Sequence, residues 1–265
     1  MSNIFDLTAA RFSRATALSL AQFSDLAYRE VDEIYAVLTE GGLKMRWFED
    51  APTDTQAFVA WDDEVTVVAF RGTENIESAI TDIKVKRIEY DYGVGQVHRG
   101  FIGSWNVVYR AIHQHIFENC PTSQILFTGH SLGAALALIA ADHFVGDGRK
   151  IRAYTFGQPR VFDAEGAARL AEHLDGYHRF VHNNDVVPRV PFSGWGYRHA
   201  GRLNHFDHTG KLLLDPAPWM TFADRVMGRF MSRKLNPMKW TSDGIDDHSM
   251  KHYLRLVGEW AAPRE

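Results

Sequence analysis

The sequence predicts an α/β fold: a mostly parallel central sheet with helices on both faces. Three observations predict it. After about residue 70, strand-like and helix-like runs alternate, the pattern of parallel strands joined by crossover helices. Val65-Thr66-Val67-Val68-Ala69-Phe70 has the continuous apolar character of a strand covered on both faces. Gly129-His130-Ser131-Leu132-Gly133 joins a strand-like run, Ile125 to Thr128, directly to an Ala-rich helix-like run, Ala134 to Ala141.

The elements follow in order. Ser13 caps a helix predicted over Arg14 to Tyr28, with Leu18, Ala21, Leu26 and Tyr28 among its apolar positions. A second helix, Val31 to Leu38, stops at Gly41-Gly42. Leu43 to Phe48 reads as a strand. Thr55 to Trp61 and Val65 to Phe70 read as a hairpin around Asp62-Asp63. A helix from about Phe101 to Glu118 precedes the strand before Ser131 and the helix after it. Ile151 to Phe156 is the next strand, and Asp163 caps a helix running through Leu174. Tyr177 to His182 is a further strand, and a helix over about His248 to Trp260 closes the chain. No repeat, low-complexity tract or linker interrupts this order, so residues 1–265 read as one domain.

Composition narrows the function. A chain of 265 residues can bury a substantial core without staples. The net charge of -4 carries no nucleic-acid footprint. Cys120 is the single cysteine, so no intramolecular disulfide can form, and it reads as a buried, idle thiol. No stretch reaches the length of a membrane span. Met1 to Leu20 lacks the basic tip and apolar core of a secretory signal. A soluble protein is expected, with a cytoplasmic location slightly favoured and a secreted mature form still compatible. Oligomeric state is left open.

A serine at a strand-to-helix turn is held strained with its hydroxyl presented, and the flanking glycines avoid collision with strand and helix. Such a hydroxyl needs a base, a group to orient the base, and donors for an oxyanion. On sheets of this kind the chain order is Ser, then Asp or Glu, then His. After Ser131 the best acid is Asp185, just beyond the strand Tyr177 to His182, at the end where functional groups gather in open α/β sheets. An ordinary turn aspartate is the competing reading. His199, His205, His208, His248 and His252 all follow Asp185 and compete as base. Spacing favours His248 only modestly, and His252 lies one turn further on the same helical face. The Leu132 amide is one expected oxyanion donor. Thr73, in the turn after Phe70-Arg71-Gly72, is the other.

Six separated motifs then agree in order with one family. Phe70-Arg71-Gly72-Thr73, Val97-His98-Arg99-Gly100-Phe101, Gly129 to Ala134, Thr155 to Val161, Asn184 to Pro188, and Asp247-His248-Ser249-Met250 with Tyr253 resemble motifs of the class 3 lipases, the fungal and plant-type triacylglycerol lipases. The resemblance runs from about Thr55 to the C-terminus. It implies the α/β-hydrolase fold, a triad of Ser131, Asp185 and His248, and oxyanion donors at Thr73 and Leu132. It moves His248 well ahead of His252. It also implies a short helical lid after Thr73, whose Ile76, Ala79, Ile80 and Ile83 form one apolar face suited to substrate. One departure stands out: Phe162-Asp163 follows Pro-Arg-Val where the family usually has Gly-Asn.

The segment Pro216 to Gly244 differs in composition. Phe222, Val226 and Phe230 fall at helical spacing, Met220, Met227 and Met231 lie nearby, and Arg225, Arg229, Arg233 and Lys234 add positive charge. It reads either as a helix packed on the body or as a contact for an anionic lipid surface. The expected activity is cleavage of lipid carboxylic esters through an acyl-enzyme, with no cofactor or metal required. The expected partner is a lipid or ester substrate at an oil-water or membrane interface, and no nucleic acid. A phospholipase A1, a short-chain carboxylesterase and a non-catalytic lipid-binding form are the alternatives.

Overall fold

The computed structural model describes residues 5–7, 11–73, 76, 86–174, 176–224, 226 and 243–262. The described elements are α1 (Arg14–Leu26), α2 (Val31–Glu40), β1 (Lys44–Asp50), β2 (Thr55–Trp61), β3 (Thr66–Phe70), β4 (Arg87–Glu89), β5 (Gln96–His98) and α3 (Arg99–Asn119). They continue with β6 (Gln124–His130), α4 (Leu132–His143), β7 (Lys150–Phe156), β8 (Phe162–Asp163), α5 (Ala164–His173) and β9 (Gly176–His182). β10 (Tyr197–Arg198), β11 (Arg202–Phe206), β12 (Leu212–Leu214) and α6 (Met250–Ala261) complete the strands and the longer helices.

The central sheet has eight strands in the order β1-β2-β3-β6-β7-β9-β11-β12. Pairing is parallel from β3 through β11 and antiparallel at both edges. The parallel strands step across the sheet in one direction. Right-handed crossovers then place every connecting helix on the same face. Accordingly, α3, α4 and α5 share one core with Val68, Phe70, Ile125, Phe127, Ile151 and Ala153. The opposite face is covered from the chain's two ends. Residues of α1, α2 and α6 pack on Val67, Ala69, Leu126, Tyr154, Phe156 and Phe180. Adjacent residues of β3 and β6 enter opposite cores, which is why their sequences are apolar without alternation.

The predicted elements appear with ends shifted by a few residues. Ser13 Oγ accepts from the Thr16 amide at 3.0 Å and Asp163 Oδ1 from the Gly166 amide at 3.0 Å, so both predicted caps form. Cys120 closes α3, is buried, and its thiol is pushed up to about 11 by burial. Helix α6 begins at Met250, which leaves His248 in the turn before it rather than on it. The strands β11 and β12 and a second sheet, ordered β10-β8-β5-β4, were not expected. These strands span two to five residues, too short for periodicity to mark. The Phe162-Asp163 departure has a structural use: Phe162 pairs with Val97 and Arg198, while Asp163 caps α5.

Of the expected lid positions, Ile76 is helical and half-buried, and Ala79, Ile80 and Ile83 lie outside the described residues. In the basic segment Met220, Phe222 and Val226 are described. Arg225, Met227, Arg229, Phe230, Met231, Arg233 and Lys234 are outside. No described helix is long and apolar enough to cross a membrane.

Candidate active site

Ser131 stands between β6 and α4 with φ 58° and ψ -127°, a backbone conformation that costs a non-glycine residue energy. The surroundings hold it there. Its amide donates to the Phe156 carbonyl of β7 at 3.0 Å. A Cβ on Gly129 would come within 2.5 Å of the Gly133 backbone, and one on Gly133 would collide with the Phe70 carbonyl. The two glycines therefore let α4 leave β6 in tight contact with both β6 and β3. Leu132 is the first residue of α4, and the first four amides of a helix have no partner within it. The turn carrying Thr73 runs alongside: a Cβ on Gly72 would lie 3.2 Å from the Ser131 Cβ. Thr73 itself is half-buried.

Asp185 follows β9 in a turn closed by its own amide, which donates to the His182 carbonyl at 2.9 Å. Its carboxylate is 1% exposed and is met from three sides. His248 Nδ1 lies 3.0 Å from Oδ1 and 2.9 Å from Oδ2. The Val187 amide donates to Oδ1 at 2.9 Å, and the Tyr253 hydroxyl donates to Oδ2 at 2.6 Å. Burial, and then the Asp185 charge, hold the Tyr253 phenol well above its ordinary range, so it remains a donor. Its oxygen also accepts the His182 amide at 3.0 Å.

The turn that carries His248 is fixed from β6. His130 Nε2 lies 2.6 Å from the His248 carbonyl oxygen, which can only accept. His130 Nδ1 must then be the acceptor for the Tyr28 hydroxyl at 2.8 Å. Burial, reinforced by His248, keeps the His130 pKa well below its usual value, consistent with this neutral tautomer. Gly157, at φ 58°, leaves room for the pair: a Cβ there would approach His248 Cε1 to 2.7 Å and Asp185 Oδ2 to 3.0 Å. Two buried atoms at this place lack a hydrogen-bond partner, Ser131 Oγ and His248 Nε2.

The structure brings His248 to Asp185 and takes the four competing histidines elsewhere. His252 and His182 lie together with Asp247. His199 Nε2 meets the Pro188 carbonyl at 2.8 Å. His205 and His208 both hold Asp224, at 2.9 Å and 2.6 Å. Sequence reasoning did not single out Tyr28, His130, Gly157 or Tyr253 for a role. The last three lie inside motifs already noticed, and Tyr28 carried no signal.

Residues 67–195 match the family described as Lipase (class 3). Secreted mono- and diacylglycerol lipase 1 of Fusarium solani is 35% identical over 154 residues, which covers 56% of this chain and 46% of that protein. A lipase of Rhizomucor miehei is 35% identical over 159 residues, covering 56% and 44%. The solved structure of Rhizomucor miehei triacylglyceride lipase is similar with a TM-score of 0.66 and 27% identity, over 74% of this chain and 82% of that one. A triacylglycerol lipase described as having a serine protease triad at its catalytic centre gives 0.66 and 26%, over 78% and 86%. The chain spans about half the length of the curated relatives it matches. The Fusarium relative is named as secreted, so the lean toward a cytoplasmic location finds no support in it.

Proposed function

We propose, from the premise that the chain belongs to the class 3 lipase family, that it is a serine hydrolase acting on carboxylic esters of lipids. The observation that carries the reading is the buried Asp185–His248 pair beside a strained, unpartnered Ser131. Ser131 attacks the ester carbonyl while His248 Nε2 takes its proton. Asp185, through Nδ1, fixes the tautomer and favours the imidazolium. The Leu132 amide and the Thr73 amide and hydroxyl stabilise the oxyanion. The alcohol leaves with the proton from His248, and water then releases the acid by the same route.

A serine-reactive fluorophosphonate tests the chemistry. Labelling of Ser131 is expected, and Ser131→Ala should lower turnover on the order of 10⁵–10⁶-fold. Folded protein that resists the probe, or a Ser131→Ala enzyme that keeps its rate, rejects the reading. A graded series of p-nitrophenyl esters, phospholipids and triglycerides identifies the substrate class.

The substrate side is a lipid interface. Trp219, Phe222 and Val226 are 71%, 62% and 54% exposed and follow helical spacing, with residues 218–224 helical. Asp224, held by His205 and His208, ties this segment to the carboxyl end of β11. Ser131 and Asp185 likewise follow the carboxyl ends of the parallel strands β6 and β9. Arg225, Arg229, Arg233 and Lys234 in the same stretch of sequence suit an anionic surface. Reversing these charges should weaken hydrolysis of anionic emulsions more than of a soluble short-chain ester. Equal loss on both removes the interfacial role.

A further inference from the structure

A second cluster of polar side chains lies beside the candidate triad. His182 ends β9, three residues before Asp185. Asp247 precedes His248, and His252 is in the first turn of α6. The segments bearing the acid and the base thus contribute jointly. One ligand-capable atom from each of the three residues lies within 4.8 Å of the other two. His182 Nδ1 is 3.6 Å from Asp247 Oδ1, and the His182 and His252 rings meet edge to face at 88° with centroids 6.1 Å apart. His252 Nδ1 is buried and makes no hydrogen bond.

We propose that His182, Asp247 and His252 bind a divalent transition-metal ion of the zinc class, which ties the acid-bearing turn to the base-bearing turn. Two imidazoles and one carboxylate match the nitrogen-rich donor set that zinc accepts, whereas calcium and magnesium require oxygen. Adjacent ligand atoms on a tetrahedral ion with bonds of about 2.0–2.1 Å are roughly 3.3 Å apart. The His182–Asp247 pair is already close to that separation, and His252 closes the rest by a small side-chain adjustment. The carboxylate is pre-oriented: Asp247 Oδ2 accepts from Asn183 Nδ2 at 2.9 Å and from the Asn184 amide at 3.1 Å. Such outer contacts fix a ligating group before the ion arrives. His182 Nδ1 now lies 3.1 Å from the Asp247 carbonyl oxygen, so coordination there moves the ring proton to Nε2. The ion touches no reacting atom, and three protein ligands leave its fourth position to water. It acts on the chemistry only by fixing the relation of Asp185 to His248.

The test is calorimetric titration of chelator-treated, full-length protein with zinc chloride, with thermal unfolding followed alongside. Expected are one tight site per chain below 100 μM and a Tm raised by about 5 °C at a hundredfold excess over Kd. Magnesium and calcium should give no shift. His252→Gln should weaken zinc binding at least about tenfold while its circular dichroism spectrum is kept. His173→Gln, on the exposed end of α5, should bind as the unaltered chain does. Absence of a stoichiometric site overturns the proposal. So does unchanged affinity in His252→Gln, or an equal Tm rise with calcium. Binding is read without any assay of hydrolysis, so the outcome is independent of the proposed activity.

Discussion

The Tyr253 hydroxyl serves two chain segments at once. It donates to Asp185 Oδ2 and accepts the His182 amide, so one side chain of α6 fixes both the carboxylate and the end of the strand that presents it. A hydrogen bond to a charged group contributes about 1.5–3 kcal/mol. Tyr253→Phe should therefore lower kcat/KM about 10- to 100-fold through a less well oriented His248, with the loss mainly in kcat. Steady-state kinetics on a soluble ester checks this, and an unchanged kcat would remove Tyr253 from the positioning role. Ser131 and Asp185 stood out in the local sequence because each sits in a marked turn: glycines around one, a strand and a Val-Val-Pro run around the other. Spacing favoured His248 over His252 only modestly. The choice depends on which imidazole reaches a carboxylate 63 residues away.

At the scale of elements, the unit β6–Ser131–α4 depends on close backbone approach. All of Ala134 to Ala141 is buried, so α4 is packed on every side and cannot shift cheaply. Gly133→Ala would drive a methyl group into the Phe70 carbonyl of β3. Overpacking of this kind costs about 1–3 kcal/mol. The expected result is a lower urea midpoint together with loss of fluorophosphonate labelling, because the displaced helix carries the Leu132 amide. Labelling at the normal rate would show that this approach does not hold the site. The helix was readable because its Ala-rich run is long. The short β-bridges of the second sheet were not, because two- or three-residue strands depend on their partners rather than on local pattern.

For the whole molecule, buried neutral histidines set the response to acid. Burial lowers His143 and His178 to about 4 and holds His130 and His199 well below the usual value. The unfolded chain takes up these protons near pH 6.5 and the folded chain does not. Between about 6.5 and 4 the unfolded state binds more protons, so stability is complete above this window and declines as pH falls through it. Urea midpoints should drop steadily from pH 7 to pH 4.5, and a flat profile would contradict it.

The sequence by itself determined the alternation of strands and helices, the two-sided burial of β3, the helix caps at Ser13 and Asp163, and the turn that carries Ser131. All of these follow from periodicity, side-chain entropy and backbone sterics within a few neighbouring residues. Only the tertiary structure decided that the terminal helices α1 and α6 cover the sheet face left bare by the crossovers. It also decided that Tyr28 and His130 clamp the turn that carries His248 and that Tyr253 meets Asp185. These contacts join residues more than 60 positions apart, and their geometry is fixed by sheet order and crossover handedness rather than by any local signal.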